Sequence, residues 1–96
     1  MAPFPISIFM VRDHSMEPAL KPGDYVVANR WFRRISAGDI IVFKHQEKEM
    51  LLVKRVGSID RGRVFALGDN KEASQDSRSF GEIKRENIIG KVIGVA

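Results

Sequence analysis

The sequence predicts an all-β protein, a small antiparallel β-barrel or coiled sheet with at most one or two helical turns. Two observations predict it. About six to eight short runs rich in valine, isoleucine and phenylalanine recur at close spacing. Turn-forming groups such as Lys21-Pro22-Gly23-Asp24 and Ala37-Gly38-Asp39 separate them, and hardly any stretch reads as helix.

Phe4 to Arg12 is rich in Ile, Phe and Val and reads as a strand, with Pro3 and Pro5 at an edge-like start. Asp13 and His14 end it. Ser15 to Leu20 is expected to form one helical turn with Pro18 inside it, so Ser15 sits where a strand gives way to a tight turn. Tyr25 to Asn29 is the second strand, and Ala37-Gly38-Asp39 introduces the third, Ile40 to Lys44. A polar hairpin, His45 to Glu49, leads to a strand over Met50 to Val56. Ile59 to Arg63 then turns the chain into Val64 to Leu67. After a polar loop, Lys84 to Asn87 reads as a second helical turn and Ile88 to Val95 as the last strand.

A chain of 96 residues has room for one domain, residues 1–96, and one hydrophobic core. The absence of cysteine excludes a disulfide framework and thiolate chemistry, and suits either redox compartment. Two histidines, His14 and His45, are too few for a structural zinc site, so no metal and no cofactor are expected. A net charge of +4 raises nucleic acid as a partner, but the lysines and arginines are scattered among acids. They form neither an arginine-rich arm nor a helix–turn–helix pattern. Solvated surface charge is the expected role, nucleic acid is not an expected partner, and anionic lipid headgroups are the other candidate. No segment approaches the ~20 apolar residues of a membrane-spanning helix. The run Phe4 to Val11 lacks a basic flank and a cleavage site, so it does not read as a signal peptide. It is an edge or core strand, or an apolar lip making peripheral contact with a membrane.

The stretch Leu67 to Arg78 is dense in hydrogen-bonding side chains and poor in apolar ones. Such a loop is either solvated or pinned around a site by its own Asp, Asn, Ser and Arg groups. Ser15 is either a helix N-cap or a displayed nucleophile, and as a nucleophile it needs a base. Neighbouring side chains on a strand point to opposite faces, which places His14 poorly, and His45 lies in a charged hairpin. Lys54 is the alternative. Strand periodicity puts Leu52, Lys54 and Val56 on one face, opposite Leu51, Val53 and Arg55. The amine either snorkels out at the sheet rim or is desolvated, its pKa lowered until it can serve as a general base near neutrality. A buried amine needs partners, and the polar loop offers Ser74 and Ser77.

Three pieces occur in order: Ser15-Met16-x-Pro18-x-Leu20, then Lys54-Arg55, then Gly68-Asp69-Asn70-x-x-x-Ser74-x-Asp76-Ser77-Arg78. They resemble the boxes of the type I signal peptidases, serine proteases with a Ser–Lys dyad. The resemblance runs from about Arg12 to Val92, and its third box is the most specific. It implies that Ser15 is the nucleophile and Lys54 the general base, with Ser74 orienting the lysine amine. Asp76 and Arg78 would form a structural brace, Gly68, Asp69 and Asn70 would shape the loop, and Met16 and Pro18 would fix the turn that displays Ser15. The backbone N–H of Ser15 would donate to the oxyanion. The implied partner is a precursor protein whose N-terminal signal or leader peptide is cut after small residues, typically alanine, while bound as an extended strand. Self-cleaving peptidases of SOS-response repressors share the Ser-Met-x-Pro start, and an inactive β-barrel module that binds an extended peptide or a membrane is the reading from another class.

Three features depart from the family pattern. Many members have a serine or glycine two residues before the nucleophile, where this sequence has Asp13. An ionised carboxylate repels an oxyanion, so Asp13 is expected to be turned away, paired with a cation such as Arg12, or protonated, and the second oxyanion donor is unassigned. Only a hairpin separates Lys54-Arg55 from Gly68. The chain thus resembles the short members, including the proteases that mature nickel-type superoxide dismutase. No anchor is visible, which places the protein in the cytoplasm if the chain is complete and on the outer membrane face if an anchor precedes Met1.

Overall fold

A computed structural model describes residues 5–96. The strands are β1 (Ile6–Met10), β2 (Tyr25–Asn29), β3 (Ile40–Lys44), β4 (Leu51–Asp60), β5 (Arg63–Leu67), β6 (Ile83–Lys84) and β7 (Ile88–Val95). Among the described residues, helix is confined to one α-helical turn, α1 (Ser77–Phe80), and 3₁₀ turns at Lys71–Ala73 and Arg85–Asn87. The expected start of the first strand, at Phe4 with Pro3 before it, lies outside the described residues. None of the helices among the described residues is long and apolar enough to cross a membrane.

The strands form one seven-stranded antiparallel sheet in the order β1-β2-β7-β3-β4-β5-β6. It is all-β as expected, in the form of a coiled open sheet: among the described residues β1 pairs with β2 alone and β6 with β5 alone. Register shifts at Val27/Ala28, Val42/Phe43 and Val56/Ser58 bend it. Such bulges add right-handed twist. The curl carries β1 round to face the start of β4 across an open groove.

Alternation along β3 explains the packing on both faces. Ile41 and Phe43 join Leu52, Val56, Val64 and Ile83 in one buried cluster. Val42, pointing the other way, joins Val11, Met16, Leu20 and Val26 in a second. The single core expected from chain length is thus divided by the sheet itself, because a curled sheet covers both of its faces.

Some boundaries differ from those the sequence predicts. The fourth strand runs on to Asp60, because Ser58, Ile59 and Asp60 pair with Phe65, Val64 and Arg63. The turn between them is only Arg61 (φ 52°) and Gly62 (φ 78°). Two successive residues with positive φ match the twist of a two-residue hairpin. Residues Ser15 to Leu20 form a run of turns with no helix, in which the Leu20 N–H reaches the Met16 carbonyl at 2.9 Å. Pro18 lacks the N–H that a helix interior would use. The two-residue strand β6 carries too few residues to show a period.

Candidate active site

Ser15 follows β1 in the turn run, and its anchoring comes from its neighbours. Met16 and Leu20 are buried in the second cluster and fasten the turn to the core, while Pro18 lies at the surface. Ser15 itself is buried, only 1% exposed. His14 points to solvent and pairs through Nδ1 with Glu17. Instead of turning away, Asp13 folds back over Ser15. Its Oδ1 accepts the Ser15 hydroxyl at 2.8 Å and the Ser15 main-chain N–H at 3.1 Å.

Lys54 sits in the middle of β4, between Leu52 and Val56, and the burial pattern of the strand follows the expected alternation. The whole residue is 1% exposed, so the amine does not snorkel into water. Burial pushes the amine pKa down from its ordinary value. The charges of Asp13 and Asp76 push it back up, and Arg78 adds to the lowering. The Lys54 amine thus feels both the carboxylate that holds Ser15 and the carboxylate at the centre of the polar loop.

The loop is organised on Asp76, which is completely buried. Its Oδ2 accepts the Gly68 N–H at 2.8 Å and the Ser74 hydroxyl at 2.7 Å. Arg78 gives it the main-chain N–H at 3.0 Å, Nε at 2.9 Å and a terminal guanidinium nitrogen at 2.6 Å. Burial alone would raise this carboxyl, but the Arg78 guanidinium and the other donors outweigh it and hold the group well below the usual carboxylate range. The Ser74 proton goes to Asp76, leaving the lone pairs of its oxygen for another donor. The other serine offered as a partner for the amine, Ser77, is turned elsewhere, its Oγ accepting the Ala66 N–H at 2.9 Å.

Contacts from the same loop reach the serine segment directly. The Asn70 N–H donates to the Ser15 carbonyl at 2.8 Å, and the Asn70 side-chain amide to the His14 carbonyl at 3.1 Å. Gly68 is wedged so tightly that a Cβ placed there would stand 2.1 Å from Ser74 Oγ and 2.8 Å from the Ser15 carbonyl oxygen. Arg55, one residue after the lysine, grips Asp69 in a bidentate pair with both bonds at 2.9 Å, and donates to the Gly38 carbonyl at 2.9 Å. Sequence reasoning assigned no role to Arg55 and only loop shaping to Asn70. The signals were there: a guanidinium beside the buried lysine, and an Asn able to satisfy main-chain carbonyls.

A groove of about 550 Å³ ends at Asp13. One wall is Ile8 to Arg12 and the other Glu49 to Val53, with Val42 between them. β1 pairs only with β2, and β5 pairs with β4 only from Arg55 onward. Both walls therefore carry strand edges without a ladder partner on that side among the described residues.

Fold and site together describe a class: an all-β protein with a buried serine in a turn, a buried lysine on a strand, and a charged loop that holds the serine turn. The model of the signal peptidase family, peptidase S26, matches residues 1–59 and 57–96, and the chain belongs to that family. It is similar to the signal peptidase complex catalytic subunit SEC11 of Metarhizium robertsii, 33% identical over 101 residues that cover 94% of this chain and 58% of that protein. The subunit of the same name from Sclerotinia sclerotiorum is 32% identical over the same shares. Signal peptidase IB of Staphylococcus aureus is 41% identical over 56 residues, 57% of this chain and 29% of its own length. The chain thus spans a little over half of the SEC11 relatives.

Proposed function

We propose that residues 1–96 form one catalytic domain of a serine endopeptidase that removes an N-terminal signal or leader peptide from a precursor protein. The observation that carries this reading is the buried Lys54 amine, pushed toward its neutral form by burial and coupled by charge to Asp13, the residue whose carboxylate holds the buried Ser15. A lysine in a core is otherwise a liability, since desolvating an ammonium is unfavourable. A neutral amine is what serine attack requires.

In this reading the leader lies extended in the groove, its main chain adding to the open edges of β1 and β4. Ser15 Oγ attacks the scissile carbonyl as its proton passes to Lys54 Nζ. The carbonyl electron pair moves onto oxygen, and the Ser15 N–H donates to that oxyanion. Lys54 returns the proton to the leaving amine, and the acyl group stays on Ser15. A water molecule deprotonated by Lys54 then attacks the ester, and Lys54 gives that proton to Ser15 Oγ as the acyl–oxygen bond breaks. Ser74 orients the amine, Asp76 and Arg78 brace Ser74, and Asn70 with Gly68 holds the Ser15 carbonyl in place. The preference for small residues before the cut comes from the family resemblance. Exposed Ile8 and Met10 on β1, with Met50 and Leu51 across the groove, support peripheral contact with a membrane at the mouth of the site.

The test is cleavage of leader-bearing precursors co-expressed with the protein, read from their new N-termini. Ser15→Ala and Lys54→Ala are each expected to abolish the cut while the circular dichroism of the purified proteins stays unchanged. Full activity in Lys54→Ala would remove the dyad.

A further inference from the structure

The two groups that Asp13 holds are the two that acylation consumes. In the reading above, on which this inference rests, the Ser15 hydroxyl is the nucleophile and the Ser15 N–H is the oxyanion donor. A single oxygen, Asp13 Oδ1, accepts both, at 2.8 and 3.1 Å. While it stays there the N–H is taken, and a second anion beside it is repelled. The side chain is free to leave, because Asp13 is exposed and lines the groove. Arg12 lies next to it on the same wall and Glu49 on the opposite one. Lys54 interacts by charge with Asp13, and with Asp76 and Arg78 as well, while His14 is engaged by Glu17.

We propose that Asp13 is a latch on the nucleophile, holding the Ser15 hydroxyl and main-chain N–H in the resting enzyme until a peptide in the groove displaces its carboxylate. Acylation then proceeds with nothing added: the Oγ proton moves to Lys54 Nζ, the Oγ–C bond forms, and the carbonyl pair becomes the oxyanion that takes the vacated N–H. Displacement draws on binding energy, so a leader that fills the groove opens the latch and a poorly fitting peptide does not. Asp13 thereby acts as a positioning residue for Ser15 and contributes to specificity. Its charge also favours the protonated, non-basic form of Lys54, so loss of that charge acts in the same direction as opening.

The test compares the parent protein with Asp13→Asn and Asp13→Ser on a fluorogenic peptide carrying alanine at the first and third positions before the cut, with kcat/KM measured across pH. A neutral acceptor holds a donor about half as strongly as a carboxylate, so Asp13→Asn is expected to raise kcat/KM roughly tenfold. The acid limb of its profile moves to lower pH, because the amine loses a stabilising negative charge. Asp13→Ser, which removes the carboxylate altogether, shifts the limb in the same direction, and thermal unfolding reports whether either variant is folded. Unchanged kcat/KM and an unchanged acid limb in both folded variants would overturn the latch and leave Asp13 as a simple turn cap. Loss of activity in both would overturn it too, making Asp13 a required base or substrate contact. Ser15→Ala is carried alongside: if the parent cleaves and Ser15→Ala does not, the peptidase reading stands whatever Asp13→Asn does. A parent as inert as Ser15→Ala removes that reading and the latch with it.

Discussion

Gly68 is where the serine turn, the polar loop and the end of β5 come closest, and Gly68→Ala tests that approach. A methyl group there would stand 2.1 Å from Ser74 Oγ, 2.5 Å from Ser74 Cβ and 2.8 Å from the Ser15 carbonyl oxygen, where ordinary contact begins at 3.4 Å. Neither neighbour yields easily. Ser74 is tied to Asp76, and the Ser15 carbonyl is main chain held by the Asn70 N–H. The loop and the serine turn must therefore separate by about an ångström, and overpacking of this kind costs about 1–3 kcal/mol. In a chain of this size that lowers Tm by roughly 5–20 °C. An ångström of misplacement at the reacting groups is worth on the order of 10²-fold in rate. Thermal unfolding followed by circular dichroism reads the first effect, and kcat/KM on the leader peptide the second. Gly94→Ala is the control, because nothing lies within 4 Å of a Cβ at that position. A Gly68→Ala protein as stable and as active as Gly94→Ala would refute the packing argument.

Three further substitutions probe the charges around the site. Lys54→Met is expected to abolish cleavage while raising stability at neutral pH by on the order of 1 kcal/mol, since it replaces a desolvated amine with an apolar side chain of similar length. The folded amine titrates below the unfolded one, so the parent gains stability as pH rises from the lowered folded value toward the free lysine pKa of about 10.4. Denaturant titrations across that window should show the slope in the parent and not in Lys54→Met. Asp76→Ala strands the Gly68, Ser74 and Arg78 donors and is expected to cost about 3 kcal/mol, the low end for a broken buried pair because Arg78 reaches water. The Asp76 contribution is full above the unfolded carboxylate pKa of about 3.9 and is lost as pH falls through the lower folded value, so Asp76→Ala should show a flatter acid unfolding curve. Arg55→Lys gives up the two-pronged grip on Asp69 and the bond to Gly38, with an expected loss of about 1 kcal/mol in urea unfolding, limited by the partial exposure of the pair.

Strand alternation, turn chemistry and the polarity of the Leu67–Arg78 loop are local properties, and they were legible before any coordinates. The facing of Leu52, Lys54 and Val56 follows from a period of two, and the all-β class from β-branched runs between glycine and proline turns. The three short boxes picked out from the sequence lie in one connected network, in which Asn70 reaches His14 across 56 positions of chain and Arg55 reaches Asp69 across 14. Which atoms meet in that network was not legible. Hydrogen bonding at Ser77 and Asn70 depends on which main-chain group the curled sheet brings opposite each side chain, the Ala66 N–H for one and the His14 carbonyl for the other, and no residue's neighbours in sequence encode that. The conformation of Asp13 was decided more locally, by the turn itself. Sequence marked it as a residue out of pattern, whose carboxylate was expected to be turned away, paired with a cation such as Arg12, or protonated. The tight turn after β1 instead places the Ser15 hydroxyl and N–H within reach of one carboxylate oxygen two residues back, and two hydrogen bonds to a charge are stronger than the water they replace. Sequence by itself thus determined which residues are polar, buried or turning, while only the tertiary structure decided which of them face one another, because contact partners are set by the bulges and curl of the whole sheet.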